Sequence, residues 1–140
     1  MSGMEHLQNV QELLPHRSPM LMVDRILSLE EDRCTAIKCV SSGEPALQGH
    51  FPGDPVFPAT LLLEALAQTC ALPLIRKHLG HTPIFAGVEN ARFRRPVTPG
   101  DLLRLEGVLA GEKKGFYTFD ATAYVDSAPV CTAVLTITMR

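Results

Sequence analysis

Ala59-Thr-Leu-Leu-Leu-Glu64-Ala-Leu-Ala-Gln68-Thr-Cys70-Ala-Leu-Pro73-Leu-Ile75 is the most apolar stretch of the chain. Leu61, Leu62, Leu63, Ala65, Leu66, Ala67 and Ala71 fill nearly every face of a helix drawn through it, and a helix that is apolar all round is a buried one. The stretch contains Glu64, Gln68 and Pro73 and falls short of the ~20 residues a membrane span needs. It is therefore read as a core helix that begins at Pro58 or Ala59. Pro73 has no N–H to donate and is expected to kink the helix or end its regular part. Gly80 closes any continuation.

A helix of this kind needs something to wrap around it, and the flanking sequence supplies strands. Upstream, Asn9 to Leu14 is expected to form a short amphipathic turn ending at Pro15. Pro19 to Ser28 reads as a first strand and Arg33 to Ser41 as a second. Gly43 to Pro58 holds three clusters of Gly and Pro and is expected to be an ordered loop or chain of turns. Downstream come Ile84–Val88, Ala91–Val97, Leu102–Ala110, Phe116–Val125 and Val130–Thr138. Pro99-Gly100-Asp101 and Asp126-Ser127-Ala128-Pro129 are turns between runs. Strands, one buried helix, then more strands make an α+β layout: one antiparallel sheet curled around the helix so that each element buries the other.

The chain's 140 residues, 46% of them hydrophobic, suit a single domain over 1–140 and argue against disorder. Thirteen basic residues against fifteen acidic give a net charge of −2, which argues against a general nucleic-acid binder. Met1 to Leu14 carries Glu5 and Glu12 and lacks the apolar run of a signal peptide, so a cytoplasmic location is expected. Cys34, Cys39, Cys70 and Cys131 show no CxxC spacing and no histidine partners, so they are read as buried free thiols, with no metal expected. No GxGxxG marks a dinucleotide site. Ser18, Thr60 and Cys70 have no base at short spacing, which leaves a nucleophilic triad unsupported.

Two titratable residues stand where composition would not put them. His50 lies in Gln48-Gly49-His50-Phe51-Pro52-Gly53, among residues that set backbone shape. Glu64 lies inside the apolar helix, where an unpaired carboxylate is costly to bury. Gln68 is one turn on from Glu64 and can orient its carboxyl. Each residue alone also suits a plain structural role: a turn histidine bonded to a carbonyl, a glutamate on the helix's one wet stripe. Together they suit acid–base chemistry. An imidazole takes and returns protons near neutral pH, and a carboxyl in apolar surroundings can keep a proton to give.

Four segments extend this reading: Leu14-Pro-His16-Arg17-Ser-Pro19 through Arg25, Gln48-Gly-His50-Phe-Pro-Gly-Asp-Pro through Pro58, Leu63-Glu64-Ala-Leu-Ala-Gln68, and Ala91-Arg92-Phe-Arg94-Arg95-Pro-Val through Asp101. In order and over nearly the whole chain they resemble the (3R)-hydroxyacyl-[acyl-carrier-protein] dehydratases of dissociated fatty-acid synthesis, which have the hot-dog fold. The HFPG motif with Glu fourteen residues after His50 is the specific part of the match. The resemblance implies a lyase that converts (3R)-3-hydroxyacyl-acyl carrier protein to the trans-2-enoyl product. It implies His50 as the base at C2 and Glu64 as the acid at the C3 hydroxyl. It also implies a homodimer whose two sites each combine residues of both subunits, a trimer of such dimers as a larger assembly, and no cofactor. Glu rather than Asp at the acid position leans away from isomerisation of the product.

The resemblance places the thioester carbonyl at the helix N-terminus, Ala59 and Thr60. It places the acyl chain in a tunnel lined by Phe51, Pro52, Val56, Phe57 and Leu63. The family usually shows Pro-Gly where this chain has Pro58-Ala59, and a methyl there would strain the backbone if φ were positive. Arg92, Arg94, Arg95, Lys113 and Lys114 are either a solvated rim or a docking surface for an acidic carrier protein. Strand alternation would put Arg92 and Arg94 on one face and Arg95 on the other. Asp24-Arg25 is expected to be a structural pair, and His16-Arg17 to anchor the first strand to the helix end. Two other functions remain open: a hot-dog acyl thioesterase using Glu64, and a non-catalytic protein that holds an acyl carrier protein.

Overall fold

The computed structural model describes residues 9–140; the first eight residues of the Met1–Leu14 segment lie outside it. Helix α1 is Val10–Leu13, opened by Asn9, whose side chain accepts from the Gln11 N–H. Strands β1 (Arg25–Leu29) and β2 (Arg33–Cys39) follow, then a one-turn helix α2 (Pro45–Gln48) and the long helix α3 (Ala59–Lys77). Strands β3 (Pro83–Phe93), β4 (Leu102–Lys113), β5 (Phe116–Val125) and β6 (Ala128–Met139) complete the chain. The strands form one six-stranded sheet in the order β1-β2-β4-β5-β6-β3, every neighbouring pair antiparallel.

The sheet closes on α3, which packs against β2, β3, β4, β5 and β6. This is the expected hot-dog arrangement. From Ala65 to Ile75 every residue of α3 is buried; the helix runs on to Lys77, 19 residues, longer than the apolar stretch alone, and is enclosed by its own sheet. Period-two alternation supplies the sheet's inner face: Leu103 and Leu105 on β4, Phe119, Ala121 and Ala123 on β5, Ala133, Leu135 and Ile137 on β6. Helix and sheet meet tightly at Gly107 of β4, where an added Cβ would lie 2.6 Å from the Cys70 sulfur.

Four expectations need correcting. First, Pro73 does not end the helix. A mid-helix proline costs ~3 kcal/mol, and burial of Leu72, Leu74 and Ile75 returns about 1.5–3 kcal/mol for each side chain. Second, Ile84–Val88 and Ala91–Val97 are not separate strands. β3 runs through both as far as Phe93, because Asn90, with φ of 53°, is taken up as a bulge between Glu89 and Arg92 while pairing with β6 persists. Third, strand β1 begins at Arg25 rather than Pro19. The Met20 carbonyl and the Met22 N–H are bound by the Gln68 side chain of α3 instead of a neighbouring strand. Fourth, Cys39 is exposed, on the outward beat of β2, whereas Cys34, Cys70 and Cys131 are buried free thiols. Burial raises the Cys34 thiol to about 12 and Cys131 to about 11.

Candidate active site

The loop from Gly49 to Pro58 holds His50 by both ends of its own residue. The Val56 N–H donates to the His50 carbonyl at 2.7 Å, and His50 Nδ1 lies 2.8 Å from the Val56 carbonyl. A carbonyl can only accept, so Nδ1 carries a proton, and in the neutral tautomer this leaves the lone pair on Nε2. The Phe57 N–H, bonded to the Val97 carbonyl at 2.8 Å, ties this loop to the segment after β3. The Phe51 ring stacks on the imidazole, centroids 4.2 Å apart.

His50 opens into a pocket of about 370 Å³, shared with Val56, Phe57, Ala59, Leu62 and the Phe93–Val97 segment. The N-terminus of α3 faces it. Intrahelical bonds to the Pro58 carbonyl begin only at Leu61 and Leu62, so the first N–H groups of the helix are donors without helical partners, at the positive end of its dipole. Ala59 is not among the residues with positive φ. Its methyl therefore strains nothing, and alanine serves where a left-handed backbone would have required glycine.

Glu64 sits elsewhere in the same protomer. Leu62, which lines the His50 pocket, and Glu64 are two residues apart, about 200° around the helix. Glu64 lines a second, narrow cleft with His16, Ala67, Gln68, Ala71, Pro83, Phe85 and Ile137. Gln68 is 1% exposed and uses every polar atom: Oε1 accepts from the Met22 N–H at 2.8 Å, and Nε2 donates to the Met20 carbonyl and to Glu64 Oε2, each at 2.7 Å. His16 brings Nε2 to 3.7 Å from the same Oε2. Burial lowers the His16 pKa, with the Glu64 charge pulling the other way.

The sequence-derived residues thus fall into groups. Val56, Phe57 and Ala59 join His50. Phe51, though stacked on the imidazole, and Pro52 do not line that pocket: paired backbone bonds between Phe51 and Asp54 close a tight turn there, and both residues border a different depression with Leu47, Gly53 and Pro99. Leu63 is half-buried and Thr60 exposed, neither in the His50 pocket. Leu62 and Phe93 were missed, because only the folded chain brings β3 beside the helix start. His16 was also missed as a neighbour of Glu64; Arg17, by contrast, binds the carbonyls of Gln11, Leu14 and His16.

The basic residues do not form one patch within a protomer. β3 ends at Phe93, so Arg94 and Arg95 lie past the strand, at the rim of the His50 pocket. Arg95 also pairs with Asp101 at 3.6 Å. Lys113 ends β4 and Lys114 opens the turn to β5, at the level of Thr138, while Arg92 is level with Thr132. Six residues of β6 separate those levels, roughly 20 Å.

Residues 14–134 match the family model described as a FabA-like domain. The chain is 44% identical over 135 residues to the 3-hydroxyacyl-[acyl-carrier-protein] dehydratase FabZ of Yersinia enterocolitica, covering 93% of this chain and 80% of that protein. It is equally similar to FabZ of Yersinia pestis strain Pestoides F, where 77% of the relative is covered. Among solved structures, the dehydratase heterocomplex ApeI:P from Xenorhabdus doucetiae superposes with a TM-score of 0.81 at 19% identity, covering 95% of this chain and 91% of that one. A hypothetical thioesterase with coenzyme A from Streptococcus pneumoniae TIGR4 superposes with a TM-score of 0.66 at 15% identity, covering 82% and 84%. At those identities the structural likeness is one of fold.

Proposed function

The chain belongs to the FabA-like family and is a 3-hydroxyacyl-[acyl-carrier-protein] dehydratase, and we propose that it works through His50 as base and Glu64 as acid at sites shared between two protomers. The observation that carries the assignment of the base is the Val56 carbonyl on Nδ1. It assigns the Nδ1 proton of the base form and so makes Nε2 the nitrogen with the lone pair, beside an apolar pocket and the unpartnered N–H groups of a helix start. A thioester carbonyl received by those N–H groups gains their stabilisation as its oxygen takes on charge. His50 Nε2 then removes a proton from C2, the C2 electron pair forms the C2–C3 double bond, and the C3–O bond breaks. Glu64 gives its proton to the departing hydroxyl, which leaves as water. His50 ends protonated and Glu64 ionised, and passing the proton back resets the pair. The acyl chain lies against Val56, Phe57 and Leu62.

The single chain keeps His50 and Glu64 in separate pockets, and β3 supplies the means of joining them. It is an edge strand of eleven residues with Ile84, Phe85, Val88 and Phe93 exposed, the kind of edge that calls for a partner strand. The His50 pocket touches its Phe93 end and the Glu64 cleft its Pro83 end. Antiparallel pairing of β3 with a second copy about a two-fold axis sets the Phe93 end of one protomer beside the Pro83 end of the other. This arrangement supports the homodimer with composite sites; a hexamer of three such dimers is the larger assembly that the resemblance implies. The enzyme acts in the cytoplasm, and Arg94 and Arg95, at the pocket rim, receive the acidic carrier protein.

The test is direct. Purified protein given (3R)-3-hydroxyacyl-acyl carrier protein should form the conjugated enoyl thioester, read by its absorbance. Release of free thiol from acyl thioesters without enoyl formation would reject the assignment in favour of a thioesterase.

A further inference from the structure

We propose that His16 is a positioning residue for Glu64: its ring and the Gln68 amide both address Oε2, so that Oε1 is the oxygen that carries the proton to be given up. The inference rests on reading Glu64 as the acid, and adds which of its oxygens acts and what sets that choice.

Gln68, one turn on from Glu64, is fixed by the backbone of the segment before β1. The Met22 N–H can only donate and the Met20 carbonyl can only accept, and Gln68 meets both. The amide cannot flip without breaking both bonds, so the orientation that sends an Nε2 proton to Glu64 Oε2 is imposed by backbone, not by choice of rotamer. An oxygen receiving that proton is held as an acceptor. When the carboxyl is protonated, its proton belongs on the other oxygen.

His16 faces the same acceptor. Its Nδ1 is buried and has no hydrogen-bond partner among the described residues. A buried N–H with nothing to receive it is the costlier of the two tautomers, so the neutral ring carries its proton on Nε2, toward Oε2. The 3.7 Å separation exceeds hydrogen-bond length and closes with a movement of less than about 1 Å, as acid–base contacts do when substrate binds. Burial keeps the ring neutral against the pull of Glu64, the titratable group that faces it. A cationic ring would instead hold Glu64 as a carboxylate and oppose its task. Once the proton has left Oε1, two N–H groups await the new charge on Oε2, which favours the transfer.

The experiment uses the full-length enzyme with carrier-bound hydroxyacyl substrate, after melting and sizing controls on each variant. His16→Phe should lower kcat by about tenfold with KM unchanged, because it removes a donor acting on the acid and not on substrate. His16→Gln, whose amide reaches the ε position, should recover most of that loss. In a Glu64→Gln background His16→Phe should cost nothing further, because the oxygen it serves no longer carries an acid. If His16→Phe fails to fold, His16→Asn, which leaves the ε position empty, takes its place with the same expectation. An unchanged kcat in the His16 variant, or an equal loss in both backgrounds, overturns the proposal and leaves the acid in place. Full turnover by Glu64→Gln alone overturns the acid itself.

Discussion

Val56 contributes no side-chain chemistry, yet its carbonyl determines which nitrogen of His50 is basic. Removing the imidazole should therefore act on the chemical step. His50→Ala is expected to lower kcat by about 10²–10⁴-fold while KM for the carrier-bound substrate moves little, measured from steady-state enoyl formation. A comparable rise in KM with kcat intact would place His50 in binding. At this scale the sequence was informative where a polar residue stood against its surroundings, as with His50, Glu64 and Gln68. It gave His16 only an anchoring role beside Arg17 and not its place next to the acid, since the contact between His16 and Glu64 joins positions 48 residues apart.

Among the elements, α3 and β4 meet with the least tolerance. Gly107 sits over Cys70 with no room for a side chain, so Gly107→Ala forces the strand off the helix. It should cost about 1–3 kcal/mol of stability, read as a lower denaturant midpoint with unchanged slope. The segment after β3 has the opposite character: Arg94 and Arg95 project at the rim of the His50 pocket. Charge reversal at both, Arg94→Glu with Arg95→Glu, should raise KM for carrier-bound substrate and spare a small pantetheine thioester. Equal effects on both substrates would remove the docking role. That Lys113 and Lys114 belong to another end of the sheet was not visible in sequence, because a basic cluster is counted along the chain while a surface is assembled across strands. The course of β3 was misread for a related reason. Glu89-Asn90 has the composition of a turn, and only pairing with β6 turns it into a bulge.

For the whole molecule the decisive feature is the exposed edge of β3. If each site draws its base and acid from different protomers, two inactive variants can repair one another. Mixing His50→Ala with Glu64→Gln under conditions of subunit exchange should restore about a quarter of the parental activity, because half the dimers are mixed and each has one intact site of two. No recovery, with exchange confirmed by mass, would confine both residues to one protomer. The local chemistry of this protein was determined by its sequence alone: an all-apolar helix must be buried, alternating runs must be strands, and a carboxylate inside such a helix needs a partner. Those are short-range consequences of periodicity and of the cost of burying charge. The tertiary structure decided which groups meet: Gln68 with Met20 and Met22, His16 with Glu64, and the two pockets with opposite ends of one strand. Contacts between residues distant in the chain depend on how the sheet closes around the helix, and hydrophobic pattern records only which side of an element faces inward, not what it finds there.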